Sequence, residues 1–415
     1  MPKATREPKS MPVDTNTPAA VAKSKNTRDT SVDAAVSNAK VNSGKVVATT
    51  VAPTIEKTQE TGGDKTAQKK VNRGLAATVS TTKLKERIWV RTLLTANRFR
   101  VIRTLDVAVV CFAERDGGYK ASLTAAQRAV RGMVRAELLR RYRTDRFQTV
   151  YGLTQKGVDW LDEAGHDAAS SVRRVSGMTN PEHRLWAQFW TLACEARGLT
   201  AMSEQELLKA LNKDAKLGKP MVEGLLTVTT MRGQKAKTVH LRPDAVAFEA
   251  EGLTWCEIDR SKRGSDREAS LSALLNSVGR TLKDGSTLHR VVVFCKTERI
   301  LKRAVAVING LADASNEKVL IAGRRHFLEV EQGMYGVWAA PEKKLKDGRT
   351  KLEDALVGFI HFQLLPIWLP KVRIDASNTH SLAGWFGENY LPYKRPPGGK
   401  PWGPVVSPLL SKSGG

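Results

Sequence analysis

The sequence predicts an α+β protein with two ordered parts behind a disordered basic arm. Three observations carry this reading. Residues 1–82 contain no Phe, Trp or Tyr; residues 83–161 place apolar side chains at helical spacing, interrupted by one pair of strand-like pieces; and residues 180–311 alternate helical with strand-like segments. The 415 residues carry 67 Lys and Arg against 42 Asp and Glu, a formal net charge of +25. That excess points to a polyanionic partner, nucleic acid first. With 41% hydrophobic residues, the chain has apolar material for more than one core.

The arm, 1–82, is rich in Ala, Thr, Val, Lys, Ser and Asn and shows neither periodicity. Such a segment cannot bury enough surface to offset its ordering entropy. It reads either as a basic arm that adds sequence-independent affinity for DNA or as a solvated tail.

Order is expected from Lys83. Ile88, Trp89, Leu93 and Leu94 mark one amphipathic helix, and Leu105, Val109, Val110 and Phe112 a second. After the turn Asp116-Gly117-Gly118, Ser122 or Thr124 is expected to cap a third helix with Ala126, Val130, Met133, Val134, Leu138 and Leu139 on its apolar side. Gln127, Arg128, Arg131 and Arg135 fall on the other side. Strand-like pieces at Leu139 to Arg143 and Gln148 to Leu153 flank Thr144-Asp145-Arg146, and Thr154 starts a closing helix. Three helices, a hairpin and a closing helix make a winged helix-turn-helix over 83–165. The run Tyr151-Gly152-Leu153-Thr154-Gln155-Lys156-Gly157 resembles the second wing strand and following helix of many bacterial winged-helix proteins. A recognition helix fits the major groove, where Gln127, Arg128, Arg131 and Arg135 would read base edges while Arg143 and Arg146 meet phosphates. The same module also serves protein contacts, with the arginines on a solvated face.

A polar, Arg- and Ser-rich linker follows to Thr179, and a second domain is placed over 176–340. Asn180-Pro181-Glu182 opens a helix to about Arg197. His183 lies in its first turn, where a lone histidine is expected to be structural. Strands are expected at Leu225 to Met231, Thr238 to Phe248 and Leu253 to Asp259, a helix at Arg267 to Leu282, a strand at His289 to Cys295 and a helix at Glu298 to Leu311. This order resembles the core of the PD-(D/E)xK nuclease fold. Arg242-Pro243-Asp244 would sit on its second strand, and Trp255-Cys256-Glu257-Ile258-Asp259-Arg260-Ser261 would end its third. Strand alternation puts Glu257 and Asp259 on one face and Cys256 and Ile258 on the other. Asp244, Glu257 and Asp259 would then hold Mg²⁺ or Mn²⁺, a hard cation that orients a water and stabilises charge on a phosphate. Asp259 stands where the nuclease pattern has lysine; Lys262, on the following loop, is the candidate substitute. The alternative is that Glu257 and Asp259 pair with Arg260, Lys262 and Arg263 at the rim of an inactive domain.

A winged helix followed by an Arg-Pro-Asp strand and a Glu-x-Asp strand resembles the replication-relaxation family of plasmid and mobile-element proteins, over about Lys83 to Leu311. That family is related to the C-class mobilisation relaxases. The resemblance implies a DNA-binding protein acting at an origin in plasmid mobilisation, conjugation or replication, with metal-dependent nicking by a relaxase or endonuclease as its enzymatic step. Double-stranded DNA, single-stranded DNA and other relaxosome or replication proteins would be its partners. The alternative is a noncatalytic origin-binding or regulatory protein on an inactive nuclease-like scaffold.

Other classes are set aside. The seven histidines are scattered with no His-x-His pattern, against the commoner tyrosine relaxases, and there is no Gly-x-x-x-x-Gly-Lys-[Ser/Thr] phosphate loop. Four widely separated cysteines indicate no disulfide framework and no zinc site. No clean apolar run of about 20 residues is long enough to span a membrane. A reducing cytoplasm is the expected location. The basic extension, 341–415, contains an apolar stretch with Phe359, Phe362, Leu364, Leu365, Ile367 and Trp368 expected to pack. Its tail from Tyr390, with Tyr393 and Trp402, is expected to be a flexible terminus, with stacking on unpaired bases as the alternative.

Overall fold

A computed structural model describes residues 80–113, 118–144, 149–169, 181–215, 221–232, 235–259, 264–315, 325–340, 342–344, 350–365, 392–400 and 402–403. All of them belong to one unit, Lys69–Gly415. The fold is α+β, with eight helices and a mixed seven-stranded sheet among the described residues. The arm expected over 1–82 lies outside them except at 80–82, where Ser80 already caps the first helix by accepting from the Lys83 amide at 3.3 Å.

Helix α1 (Thr81–Phe99) buries Leu93 and Ala96, and α2 (Thr104–Phe112) is buried almost all round, which is why its polar face is faint in the sequence. Helix α3 (Gly118–Arg135) starts before the expected cap. Ser122 lies inside it, and its hydroxyl donates 2.5 Å to the Phe112 carbonyl, tying α3 to the end of α2. Strands β1 (Leu139–Arg143) and β2 (Thr149–Leu153) pair antiparallel, with Arg141 opposite Tyr151. Thr154 caps α4 (Gln155–Glu163). Gly157 is required there, because a Cβ would lie 2.3 Å from the Leu138 carbonyl oxygen.

Helix α5 (Pro181–Ala196) packs on both α2 and the sheet. One core cluster joins Leu105, Val130 and Leu139 to Trp186 and Trp190 of α5 and to Cys256, Ile258 and Phe294 of the sheet. The junction also holds a buried ion pair. Arg103 Nη2 donates 2.9 Å to Asp106 Oδ1 and 2.6 Å to the Leu185 carbonyl, and Gln188 Nε2 donates 3.1 Å to Asp106 Oδ2. Arg98, at the end of α1, donates to Glu195 of α5 at 2.7 Å and to Glu206 of α6 (Glu204–Leu211) at 2.5 Å. These contacts fix the N-terminal helices on the sheet.

The sheet runs β3-β6-β7-β8-β13-β10-β9. Its strands are β3 (Thr200–Ser203), β6 (Ala245–Glu249), β7 (Gly252–Asp259), β8 (Leu288–Cys295), β9 (Phe327–Glu331), β10 (Met334–Ala339) and β13 (Ala355–Leu364). Strand β7 is parallel to β8 and β8 to β13; the other pairs are antiparallel. On the face away from α5, Trp255, Val291 and Val293 pack with Leu271 and Leu274 of α7 (Ser265–Leu275) and Ile308 of α8 (Glu298–Ser315). Strands β11 (Glu342–Lys344) and β12 (Thr350–Leu352) form a separate pair.

Several expectations are corrected. The segments expected as first and second core strands instead begin with a separate two-stranded sheet, β4 (Leu226–Arg232) with β5 (Lys235–Leu241). Only Ala245–Glu249 of the second expected strand enters the main sheet, whose first strand is the unpredicted β3. Thr200–Ser203 is too short for alternation to announce it. The helix expected to reach Leu282 ends at Leu275. The sheet also continues beyond residue 340, since β13 inserts between β8 and β10. The tail is not loose over 392–400 and 402–403: Tyr393 and Trp402 are buried, and Tyr393 stacks on Trp190 at 6.0 Å. Ile367 and Trp368 lie outside the described residues. Among the described residues, no helix is long and apolar enough to cross a membrane.

Candidate functional site

Helix α3 buries Ala126, Val130 and Met133 and exposes Gln127, Arg128, Arg131 and Arg135. Gln127, Arg131 and Arg135 recur every four residues, so they rise along one side of the helix, and Arg128 flanks them. Over Gly118–Arg135 the helix carries no acidic residue. Strand β1 adds the expected Arg143 and two arginines the sequence reading passed over, Arg140 and Arg141, all exposed. The signal was the run Arg140-Arg141-Tyr142-Arg143, a strand too basic to be buried on both faces. Arg146 lies outside the described residues.

The second cluster sits at one edge of the main sheet. Parallel pairing brings the carboxyl ends of β7, β8 and β13 together there, at Asp259, Cys295 and Leu364. Crevices outside such ends are where open α/β sheets bind ligands. Asp244 lies just before β6 rather than on a strand, and its amide donates 3.0 Å to the Cys256 carbonyl. Its Oδ2 accepts from the Ile258 amide at 2.6 Å, closing the gap where β6 and β7 part. His183 of α5 brings Nε2 within 3.1 Å of the same oxygen. Glu257 accepts from Trp255 Nε1 at 2.9 Å, and Asp259 is buried. Cys256 and Ile258 face the α5 side, as strand alternation requires. Glu182 Oε2 stands 3.5 Å from Lys296 Nζ, and the Lys296 amide donates 2.9 Å to the Asp259 carbonyl.

Glu182, His183 and Lys296 therefore join the edge that the sequence reading assigned to Asp244, Glu257 and Asp259. Lys296 directly follows an apolar strand, and only the parallel β7–β8 register brings it beside Asp259. Lys262, with Arg260 and Arg263, lies outside the described residues. A Mg²⁺ site needs several oxygen ligands in near-octahedral geometry. Among the described residues, no group of three or more His, Cys, Asp or Glu could hold a metal ion. One oxygen of Asp244 and one of Glu257 are already engaged by protein donors. The described donors alone do not make a Mg²⁺ site.

No family model matches the chain. No curated protein matches it either. Among solved structures, the crystal structure of protein VC1899 from Vibrio cholerae is similar over 54% of this chain and 49% of that one, at 14% identity and a TM-score of 0.18. The chain thus spans about half the length of that protein. A likeness of that size bears on neither fold nor function.

Proposed function

We propose that this chain is a double-stranded DNA-binding protein in which α1 to α4 with β1 and β2 form a winged helix-turn-helix, carried on a nuclease-like sheet that serves as scaffold. The observation that carries this reading is the exposed, acid-free row Gln127, Arg128, Arg131 and Arg135 on α3, with Arg140, Arg141 and Arg143 exposed on the adjoining strand. A major groove about 12 Å wide admits a helix, arginine pairs with guanine and glutamine with adenine, and arginines on a wing reach phosphates. The resemblance to the replication-relaxation family supports an origin of a plasmid or mobile element as the target. The scaffold role is supported by Asp259, which stands where the nuclease pattern has lysine.

Selection from a randomised duplex library tests the groove assignment. Wild-type protein should enrich one sequence, and Arg131→Ala should relax discrimination by about 1–3 kcal/mol at one position of it. Arg141→Ala should weaken all sequences alike. Identical behaviour of the two variants would remove the groove assignment.

One observation favours a second reading, metal-dependent nicking: Asp244 directly precedes the residue paired with Cys256, so it stands across from Glu257 at the carboxyl edge of the sheet. Supercoiled plasmid incubated with Mg²⁺, Mn²⁺ or chelator separates the readings. Open circles that require metal and vanish in Asp244→Ala would favour the enzyme. Intact plasmid with retained binding favours the scaffold.

A further inference from the structure

We propose that the cleft where α1, α2 and α5 meet is a binding site for a small amphipathic anion, an apolar body carrying one carboxylate. The cleft holds about 290 Å³, close to the lower end of small-molecule sites. Its floor is apolar and comes from three helices: Leu94 of α1, Val109 and Val110 of α2, and Leu192 and Ala196 of α5. Packed interiors leave few voids larger than a water molecule, and an unfilled apolar hollow costs stability. Ligand sites favour the joins between structural parts. This cleft lies at such a join, between the N-terminal helices and the helix that packs on the sheet.

The polar groups of the cleft select the ligand. Arg91, Arg98 and Glu195 line it together with Thr95. Arg98 and Glu195 are committed to each other at 2.7 Å, and Arg98 also donates to Glu206 at 2.5 Å. The Thr95 hydroxyl donates 2.8 Å to the Arg91 carbonyl, within its own helix. The Arg91 guanidinium is exposed and makes no hydrogen bond or ion pair among the described residues. It is therefore an uncommitted donor beside an apolar floor, and its fork of N–H groups matches a carboxylate bidentately. A cation would be repelled by both guanidiniums, and a wholly apolar ligand would leave the Arg91 donors to water. A bound anion would touch α1, α2 and α5 at once and so pin the N-terminal helices to α5. The site is independent of the DNA-binding reading, because none of the α3 or β1 arginines lines it.

The test uses the full chain and three probes of one length, octanoate, octanamide and octylammonium, in calorimetric titrations. Octanoate should bind saturably at one site per chain and raise the melting midpoint with concentration, as a ligand of the folded state does. Octanamide should bind about tenfold more weakly, and octylammonium should not bind. Arg91→Gln, at an exposed position, should weaken octanoate about tenfold, the worth of one charge-assisted hydrogen bond, and leave octanamide unchanged. Leu94→Trp, which fills the cleft, should remove binding of both; Arg91→Gln decides the matter alone if that variant does not fold. No binding of octanoate at millimolar concentration would overturn the site. So would octanoate binding that Arg91→Gln leaves unchanged, or octylammonium binding as tightly as octanoate. None of these results would bear on the binding of a duplex, so the winged-helix reading stands or falls separately.

Discussion

Glu249 anchors the C-terminal segment 392–400 to the sheet through Tyr393 and Arg395, and replacing it should release that segment. Its side chain is 2% exposed; Oε1 accepts from Arg290 Nε at 3.1 Å, from Thr254 and from Tyr393, while Oε2 accepts from Arg395. Arg290 is itself only 3% exposed and also reaches His361 Nε2 at 3.2 Å. Burial alone would raise the Glu249 carboxyl; Arg290, the two hydroxyls and Arg395 overcome it and hold the pKa down from 4.5 to about 2. At 1.36 kcal/mol per unit, that depression corresponds to about 3 kcal/mol at neutral pH. The folded value lies below the unfolded one, so this stability is complete above about pH 4.5 and is lost as pH falls towards 2. Glu249→Gln keeps the shape but leaves Arg290 buried without its counter-charge, and one-sided loss of a buried pair costs about 3–5 kcal/mol. Hydrogen exchange followed by mass spectrometry should show the Lys394 amide exchanging roughly a hundredfold faster, since each 1.4 kcal/mol is tenfold. Unchanged exchange across 392–400 and an unchanged melting midpoint would refute the reasoning.

Asp106→Asn should cost about 3–5 kcal/mol, because it removes the buried carboxylate charge to which Arg103 Nε and Nη2 donate at the α2–α5 junction; urea unfolding measures it. Gly358→Ala should destabilise by about 1–3 kcal/mol or more, since the new Cβ would lie 2.1 Å from the His289 carbonyl oxygen and must force β13 away from β8; a thermal melt reads the shift. Burial pushes the Cys111 thiol up to about 12 and raises Cys194 and Cys256 well above their usual range. Native protein at pH 8 should therefore leave a disulfide reagent nearly unreacted, and unfolded protein should react at all four cysteines.

Local chemistry was enough to read much of the N-terminal module and the exposed row on α3. Thr154 as a cap, the strand pair around Thr144 and the four-residue recurrence of Gln127, Arg131 and Arg135 all depend on neighbours in the chain. So does the alternation that turns Cys256 and Ile258 inward. Tertiary structure decided the rest. Leu226–Arg232 and Thr200–Ser203 compete for the place of first strand, and alternation favours the longer piece; which one pairs with β6 is settled by packing against α5 and α7. Tyr393 and Trp402 sit in a Pro- and Gly-rich stretch with the composition of a loose tail, and only the counter-charge on Glu249 and the ring of Trp190 give them a place. His183 and Lys296 stand more than a hundred residues apart in the chain. Lys296 reaches Asp259 because the parallel strands β7 and β8 align their ends, and His183 reaches Asp244 because α5 packs on β6 and β7; no local stretch of sequence specifies either.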